Sequence, residues 1–182
     1  GINNSGQIAA YGTTEYGGNF QAFRYTPGVG FVPLGSLGGR ETETGGINNQ
    51  GQVTGFSERT DGFEHAFRYT DGIGMQDLGS LYGGHSIGYA INDLGWVTGK
   101  SDGNTFLYRD DVGMTYLGPG TGYAINNLGV VAGEAEGPAI FRDGGVWPLG
   151  DLGGHGGIAA GINDLNQVVG TGYISRTFHG FL

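Results

Sequence analysis

The sequence predicts an all-β fold, a small five-bladed β-propeller of four-stranded repeats. Three observations carry this. The unit Ile-Asn-(Asn/Asp)-x-Gly-x-(Val/Ile) recurs five times, from Ile2, Ile47, Ile91, Ile125 and Ile162, at spacings of 45, 44, 34 and 37 residues. Gly is 42 of 182 residues, about three times the ordinary ~7 %, yet without the strict period of collagen. Strong helix formers are scarce: Lys100 is the one Lys and there are 2 Met. Antiparallel hairpins at this period suit a propeller blade better than a solenoid coil. A β-solenoid or a prism-like stack of hairpins is the alternative.

Each repeat reads as strands a to d, all short and bounded by Gly, Asn and Asp. Strand a ends in Ile-Asn, as in Ser86-Ile87-Gly88-Tyr89-Ala90-Ile91. Strand b is Gln52-Val53-Thr54-Gly55 and its relatives. Strand c is His65-Ala66-Phe67-Arg68-Tyr69, with relatives at 21–25, 104–108, 138–142 and 179–182. Strand d precedes Leu-Gly, as in Val32-Pro33-Leu34-Gly35, Gln76-Asp77-Leu78-Gly79, Thr115-Tyr116-Leu117-Gly118 and Trp147-Pro148-Leu149-Gly150.

The a–b turn has a mechanism. Asn3, Asn48, Asn92, Asn126 and Asn163 open it, and such a side chain accepts nearby backbone N–H groups. Gly6, Gly51, Gly95 and Gly129 close it in the left-handed conformation, at no steric cost. In the fifth copy Asn166 takes that place, as the next best residue there. The c–d turns read as Thr26-Pro27-Gly28, Thr70-Asp71-Gly72 and Asp143-Gly144. The b–c connections vary most, at 11–19, 56–64, 100–103 and 134–137. Gly55, Gly99, Gly133 and Gly170 in strand b predict close approach of another backbone. The Phe of strand c is expected to wedge between neighbouring blades. Trp96 and Trp147, on strands b and d, are expected in the core.

The length suits one domain over 1–182, with repeats at about 1–39, 40–84, 85–118, 119–154 and an incomplete 155–182. Strands a, b and c occur five times and strand d four. The expectation is an imperfectly closed ring, a piece of a longer array, or a strand supplied by a partner. An unpaired edge is a template for another chain, and head-to-tail contacts give rings or filaments.

The net charge of −9 argues against nucleic acid and against anionic lipid. No apolar run approaches the ~20 residues of a membrane helix, so no membrane insertion is expected. There is no Cys, which removes disulfides and thiolate chemistry. Four His fall in two equivalent pairs, His65 with His179 and His85 with His155; packing or turn roles are expected, since metal ligands must converge. Asp61-Gly62, Asp71-Gly72, Asp102-Gly103 and Asp143-Gly144 read as turns, because no Asp-x-Asp-x-Asp-Gly run surrounds them. No nucleophile elbow, phosphate loop or recurring strand-centre carboxylate appears, so neither an enzyme nor a cofactor is expected. Asn3-Asn4-Ser5 is a glycosylation sequon, but Asn3 is also the turn residue, and the turn reading takes precedence.

His65-Ala66-Phe67-Arg68-Tyr69, Ile91-Asn92-Asp93-Leu94-Gly95 and Leu78-Gly79-Ser80-Leu81-Tyr82-Gly83-Gly84 resemble the HAF-type extracellular repeats, named for their His-Ala-Phe triplet. The three motifs recur in one order over essentially the whole chain. The triplet departs from the pattern in four copies, at Gln21, Asn104, Pro138 and Gly180. The resemblance implies an exported or cell-surface protein and carries over no catalytic chemistry and no functional residue.

Aromatics in the b–c segments, Tyr11, Tyr16, Phe56, Phe63 and Tyr173, are the candidate ligand-binding residues. Sugar rings stack on such side chains while Asn and Asp bond their hydroxyls. The expected function is an extracellular, non-enzymatic structural module that self-associates through an open strand edge, as a surface or filament subunit. The alternative is a lectin-like propeller that binds glycans through these aromatics.

Overall fold

The computed structural model describes residues 1–150, 156–174 and 177–182, with backbone alone at Ile174. It is all-β: among the described residues there are eighteen strands and no helix. They form five antiparallel sheets, each a meander of strands consecutive in the chain. Sheet 1 holds β1 (Ile8–Gly12), β2 (Gln21–Thr26) and β3 (Gly30–Pro33). Sheet 2 holds β4 (Gly38–Ile47), β5 (Val53–Arg59), β6 (Glu64–Thr70) and β7 (Gly74–Asp77). Sheet 3 holds β8 (Ser86–Ile91), β9 (Val97–Ser101), β10 (Asn104–Arg109) and β11 (Gly113–Pro119). Sheet 4 holds β12 (Thr121–Ile125), β13 (Val131–Glu134), β14 (Pro138–Arg142) and β15 (Gly145–Pro148). Sheet 5 holds β16 (Gly157–Ile162), β17 (Val168–Ile174) and β18 (Thr177–Phe181).

Sheets 2, 3 and 4 carry the whole a-b-c-d set. In sheet 1 strand a is reduced to a bridge between Ile2 and Ile8, and sheet 5 has strands a to c. The short connections set the pairing. Asp143, at φ 52°, and Gly144, at φ 73°, make a two-residue c–d turn in sheet 4, both in the positive-φ region such turns need.

One irregularity recurs that the residue pattern does not announce. Strand a bulges at Gly45, Tyr89, Tyr123 and Ala160, two residues before the last pair of each a–b ladder. A bulge bends its strand and sharpens the twist. The glycines opposite it are obligatory. A Cβ at Gly55, Gly99, Gly133 or Gly170 would overlap a carbonyl oxygen of strand a, at Glu43, Ile87, Thr121 or Ile158 respectively. The close approach expected at these glycines is therefore made within each sheet. Between sheets it falls on strand a: a Cβ at Gly88 would strike the Thr54 hydroxyl of sheet 2, and one at Gly122 the Thr98 hydroxyl of sheet 3.

Successive sheets pack through strands a and b: β1 on β4, β5 on β8, β9 on β12 and β13 on β16. The core lies in these junctions, each mixing two sheets. Ala9, Ala22 and Leu34 of the first repeat pack on Val53, Phe67 and Met75 of the second. Ala66 and Leu78 pack on Val97, Phe106 and Met114. Leu117 packs on Val131, Phe141 and Val146. Phe67, Phe106 and Phe141 are fully buried, as a wedge between sheets requires.

Two expectations need correction. The relative at 138–142 is shifted by one residue against 65–69, so that Ala139 and not Ile140 takes the place of Phe67. Phe67 and Phe106 sit opposite Gly55 and Gly99, but Ala139 sits opposite Gly133, and Phe141 opposite Val131. The ring has moved two residues along the same face of β14, where it fills the room left by Ala139. Trp147 is 51 % exposed on β15; the adjacent Val146, which points to the opposite face, is the residue packed at a junction. Its indole instead lies under the Arg142 guanidinium, 5.5 Å away. Trp96 precedes β9 and is half-buried, with Arg109 over its ring at 5.3 Å.

Candidate functional site

The five a–b turns are built alike. The side-chain oxygen of each opening Asn accepts the backbone N–H groups two and four residues on, at 2.9 to 3.2 Å. Gly6, Gly51, Gly95 and Gly129 have φ between 71° and 80°, and Asn166 stands at 59°. The turn chemistry read from the sequence holds in every copy.

The side-chain nitrogen of the same Asn reaches the next turn. Asn3 Nδ2 donates to the Asn48 carbonyl, Asn48 to Asn92, Asn92 to Asn126 and Asn126 to Asn163, at 2.9 to 3.0 Å. The following residue makes a parallel row. The N–H of Asn4 donates to Asn49 Oδ1, that of Asn49 to Asp93, that of Asp93 to Asn127 and that of Asn127 to Asp164. The ladder has a direction, from each copy to the next. Asn163 ends it; its Nδ2 donates to Gln167 Oε1, a bond within its own turn that Asn3 and Asn48 make as well, to Gln7 and Gln52.

The Ile, Asn and Asn/Asp of all five turns line a single depression of about 380 Å³. Hydrogen-bond accounting decides what it does. Asn48, Asn92 and Asn126 each spend both polar atoms on the ladder and on their own turn, and Asp93 and Asp164 accept from the copy before. Little is left for a ligand. The arrangement spaces the sheets and satisfies buried polar groups, which are costly to leave unpaired.

Two buried Arg residues tie the same turns from the side. Arg24 Nη1 donates to the Gly51 carbonyl at 2.7 Å, and its Nη2 meets both Asp71 oxygens at 2.9 Å. Arg68 repeats this one sheet on, with the Gly95 carbonyl and Asp110. The sequence carries both in Phe-Arg-Tyr, but a partner some 42 to 47 residues away has no local signal. In the third repeat Leu107 replaces the Arg, and no such clamp forms.

The candidate aromatics are dispersed. Tyr11 lies on β1, Phe56 on β5 and Tyr173 on β17; Tyr16 and Phe63 lie in b–c connections. Tyr11 meets Phe20 edge-on at 5.6 Å, Phe63 lies on His85 at 5.2 Å, and Tyr173 on Phe178 at 4.2 Å. Tyr16 is fully exposed and Phe56 half-buried. They belong to sheets 1, 2 and 5. His65 is buried against Asp77 and Arg59, a packing role; His155 lies outside the described residues. Asn3, the sequon residue, is buried with its amide nitrogen engaged.

Titration is shifted in few places. Burial raises the Tyr89 hydroxyl, and burial followed by the Glu134 carboxylate raises Tyr123. The two rings stack at 5.7 Å on the bulges of β8 and β12. Burial, then Glu41 and Glu64, raises Glu43.

A depression of about 560 Å³ lies where sheet 4 meets sheet 5. Pro138 and Leu149 form one wall, Val168 and Phe181 the other. No protein family, no curated protein and no solved structure matches this chain.

Proposed function

We propose that this chain is a non-enzymatic structural module of HAF-type repeats, exported to the cell surface or beyond, that assembles through an open strand edge. Its five sheets are arranged about one axis as a five-bladed propeller, and the single depression lined by all five a–b turns supports that arrangement. The observation that carries the scaffold reading is the asparagine ladder, which spends the polar groups of the turns on one another. Strand d is the outer strand of sheets 1 to 4, and unpaired backbone groups along such an edge recruit another strand. The polar turns are internally satisfied, which favours a scaffold over a catalyst. Light scattering on a size-exclusion column tests the reading. Mass that rises with concentration is expected; a particle of one chain at every concentration overturns it.

A second reading is glycan binding on sheet 1, favoured by the exposed edge-on pair Tyr11 and Phe20 with the fully exposed Tyr16 nearby in sequence. A broad glycan panel probed with the chain and with Tyr11→Ala decides it. Selective signals lost in the variant support the reading, and a flat panel removes it.

A further inference from the structure

The five a–b turns share one geometry and differ at an exposed position. Between the opening Asn and the closing Gly or Asn166 stand Asn4-Ser5, Asn49-Gln50, Asp93-Leu94, Asn127-Leu128 and Asp164-Leu165. The turn uses only the N–H of the second residue, which the opening Asn accepts at 3.0 to 3.2 Å in every copy. Ser5 and Gln50 meet that need, yet the next three copies carry Leu. The exchange buries nothing: Leu94 is 56 % exposed, Leu128 63 % and Leu165 79 %. A turn that accepts Ser and Gln has no packing reason for Leu at the same point.

A second position switches to apolar in the same region. Gln7 and Gln52 lie against the closing glycine of the next turn, Gly51 and Gly95, whereas the Trp96 ring lies against Gly129. The ladder sets the Leu tips side by side, since Asn92 and Asn126 each donate to the turn that follows, at 3.0 Å. Single apolar residues are ordinary on a surface, but a contiguous exposed group of them marks an interaction site.

The charge beside the tips says what they meet. Asp93 and Asp164 directly precede Leu94 and Leu165 and accept only from neutral groups, on Asn49 and Asn127. Among the described residues neither carboxylate has a cationic partner. The Arg side chains at this end of sheets 3 and 4 are engaged elsewhere, Arg109 with Asp111 and over Trp96, and Arg142 over Trp147.

We infer that the arc of Leu94, Leu128 and Leu165 docks a partner protein through a basic amphipathic segment, its apolar side chains on the arc and its Lys or Arg facing Asp93 and Asp164. A second copy of this chain fits less well, because two copies meeting on this face oppose like charges. An anionic lipid surface is repelled for the same reason. The inference goes beyond the assembly reading and does not rest on it.

The test uses the full chain and a fluorescent Leu/Lys peptide of helical period, read by anisotropy. Saturable binding is expected. Leu128→Ser with Leu165→Ser, which copy the first turn, should weaken it by about tenfold or more. Tyr82→Ser, at an exposed residue outside these turns, should leave it unchanged. Asp93→Asn with Asp164→Asn, which copy the second and fourth turns, should weaken it and flatten its dependence on salt. Circular dichroism checks that each variant keeps its fold. No binding overturns the inference. So does binding that ignores the Leu variants, which is attraction of a cation to an acidic chain and nothing more. Neutral phosphatidylcholine vesicles and light scattering of the chain alone address the other occupants. Vesicle binding or self-association that the Leu variants abolish, with no binding of the peptide, assigns the arc to a membrane or to a second copy and overturns the inference.

Discussion

The junction between sheets 2 and 3 and the junction between sheets 4 and 5 start from the same residues and end differently. Asn92 and Asn163 open turns of identical geometry, each accepting two backbone N–H groups. Yet Asn92 is buried and bonded to the next turn, while Asn163 is exposed and bonded to its own Gln167. Phe106 is fully buried opposite Gly99, and Phe181 only half-buried opposite the equivalent Gly170. The turn is a local object, complete in about seven residues. Burial is a property of the neighbour. A repeat therefore folds its hairpins by itself but gains its core only from the sheets beside it.

The largest effect separates obligatory from permissive glycine. Gly99→Val drives a branched side chain into the Ile87 carbonyl and is expected to cost about 3 kcal/mol or more. Gly62→Asn, in open space at φ 85°, is expected to stay within about 0.5 kcal/mol, since Asn tolerates that region. Urea denaturation of both variants checks this. Equal tolerance would mean that strand a does not press on strand b.

Next comes the Phe pair. Phe106→Ala, at the filled junction, should cost about 3–5 kcal/mol. Phe181→Ala, beside the open groove, should cost about 1–2 kcal/mol, because much of that ring already meets solvent. Similar costs at both sites would erase the distinction between the two junctions.

Much of this architecture was legible beforehand, for a physical reason. Strand order and turn type rest on short-range chemistry, such as Asn at the opening and Gly or Asn166 at positive φ, and these stand where the repeat placed them. What was illegible depends on groups distant in sequence. The bulge at Tyr89 and Tyr123 has no residue signature. The shift of Phe141 follows from a small Ala139 opposite Gly133. The clamps of Arg24 and Arg68 close on carbonyls and carboxylates of the next repeat. The candidate aromatics Tyr11, Phe56 and Tyr173 were assigned to connections and lie on strands, because strands β1, β5 and β17 run further than their Val-x-Gly cores suggest.

The asparagine ladder sharpens the comparison on a smaller scale. Asn92→Ala loses the turn acceptor and leaves the buried Asn126 carbonyl without its donor, for about 2–3 kcal/mol. Asn163→Ala loses the turn alone, for about 1 kcal/mol. Thermal unfolding of the pair measures the difference, which is the contribution of the bond to the next sheet.

The smallest effect is electrostatic. Burial and nearby Glu41 and Glu64 raise the Glu43 carboxyl, so its charged form is disfavoured in the folded chain. A raised folded value stabilises below the ordinary carboxylate value of 4.5, and the benefit is lost as pH rises through the folded value. Glu43→Gln should therefore be slightly more stable than the parent at neutral pH, with the gain vanishing in acid. A gain that persists unchanged in acid would place the cause elsewhere.

The most direct measurement of the central claim, that a repeat gains its core only from the sheets beside it, is amide hydrogen exchange along the chain. At high dilution, residues 104–109 of β10 should exchange slowly and residues 177–181 of β18 faster by orders of magnitude. Equal protection of the two strands at high dilution would contradict that claim.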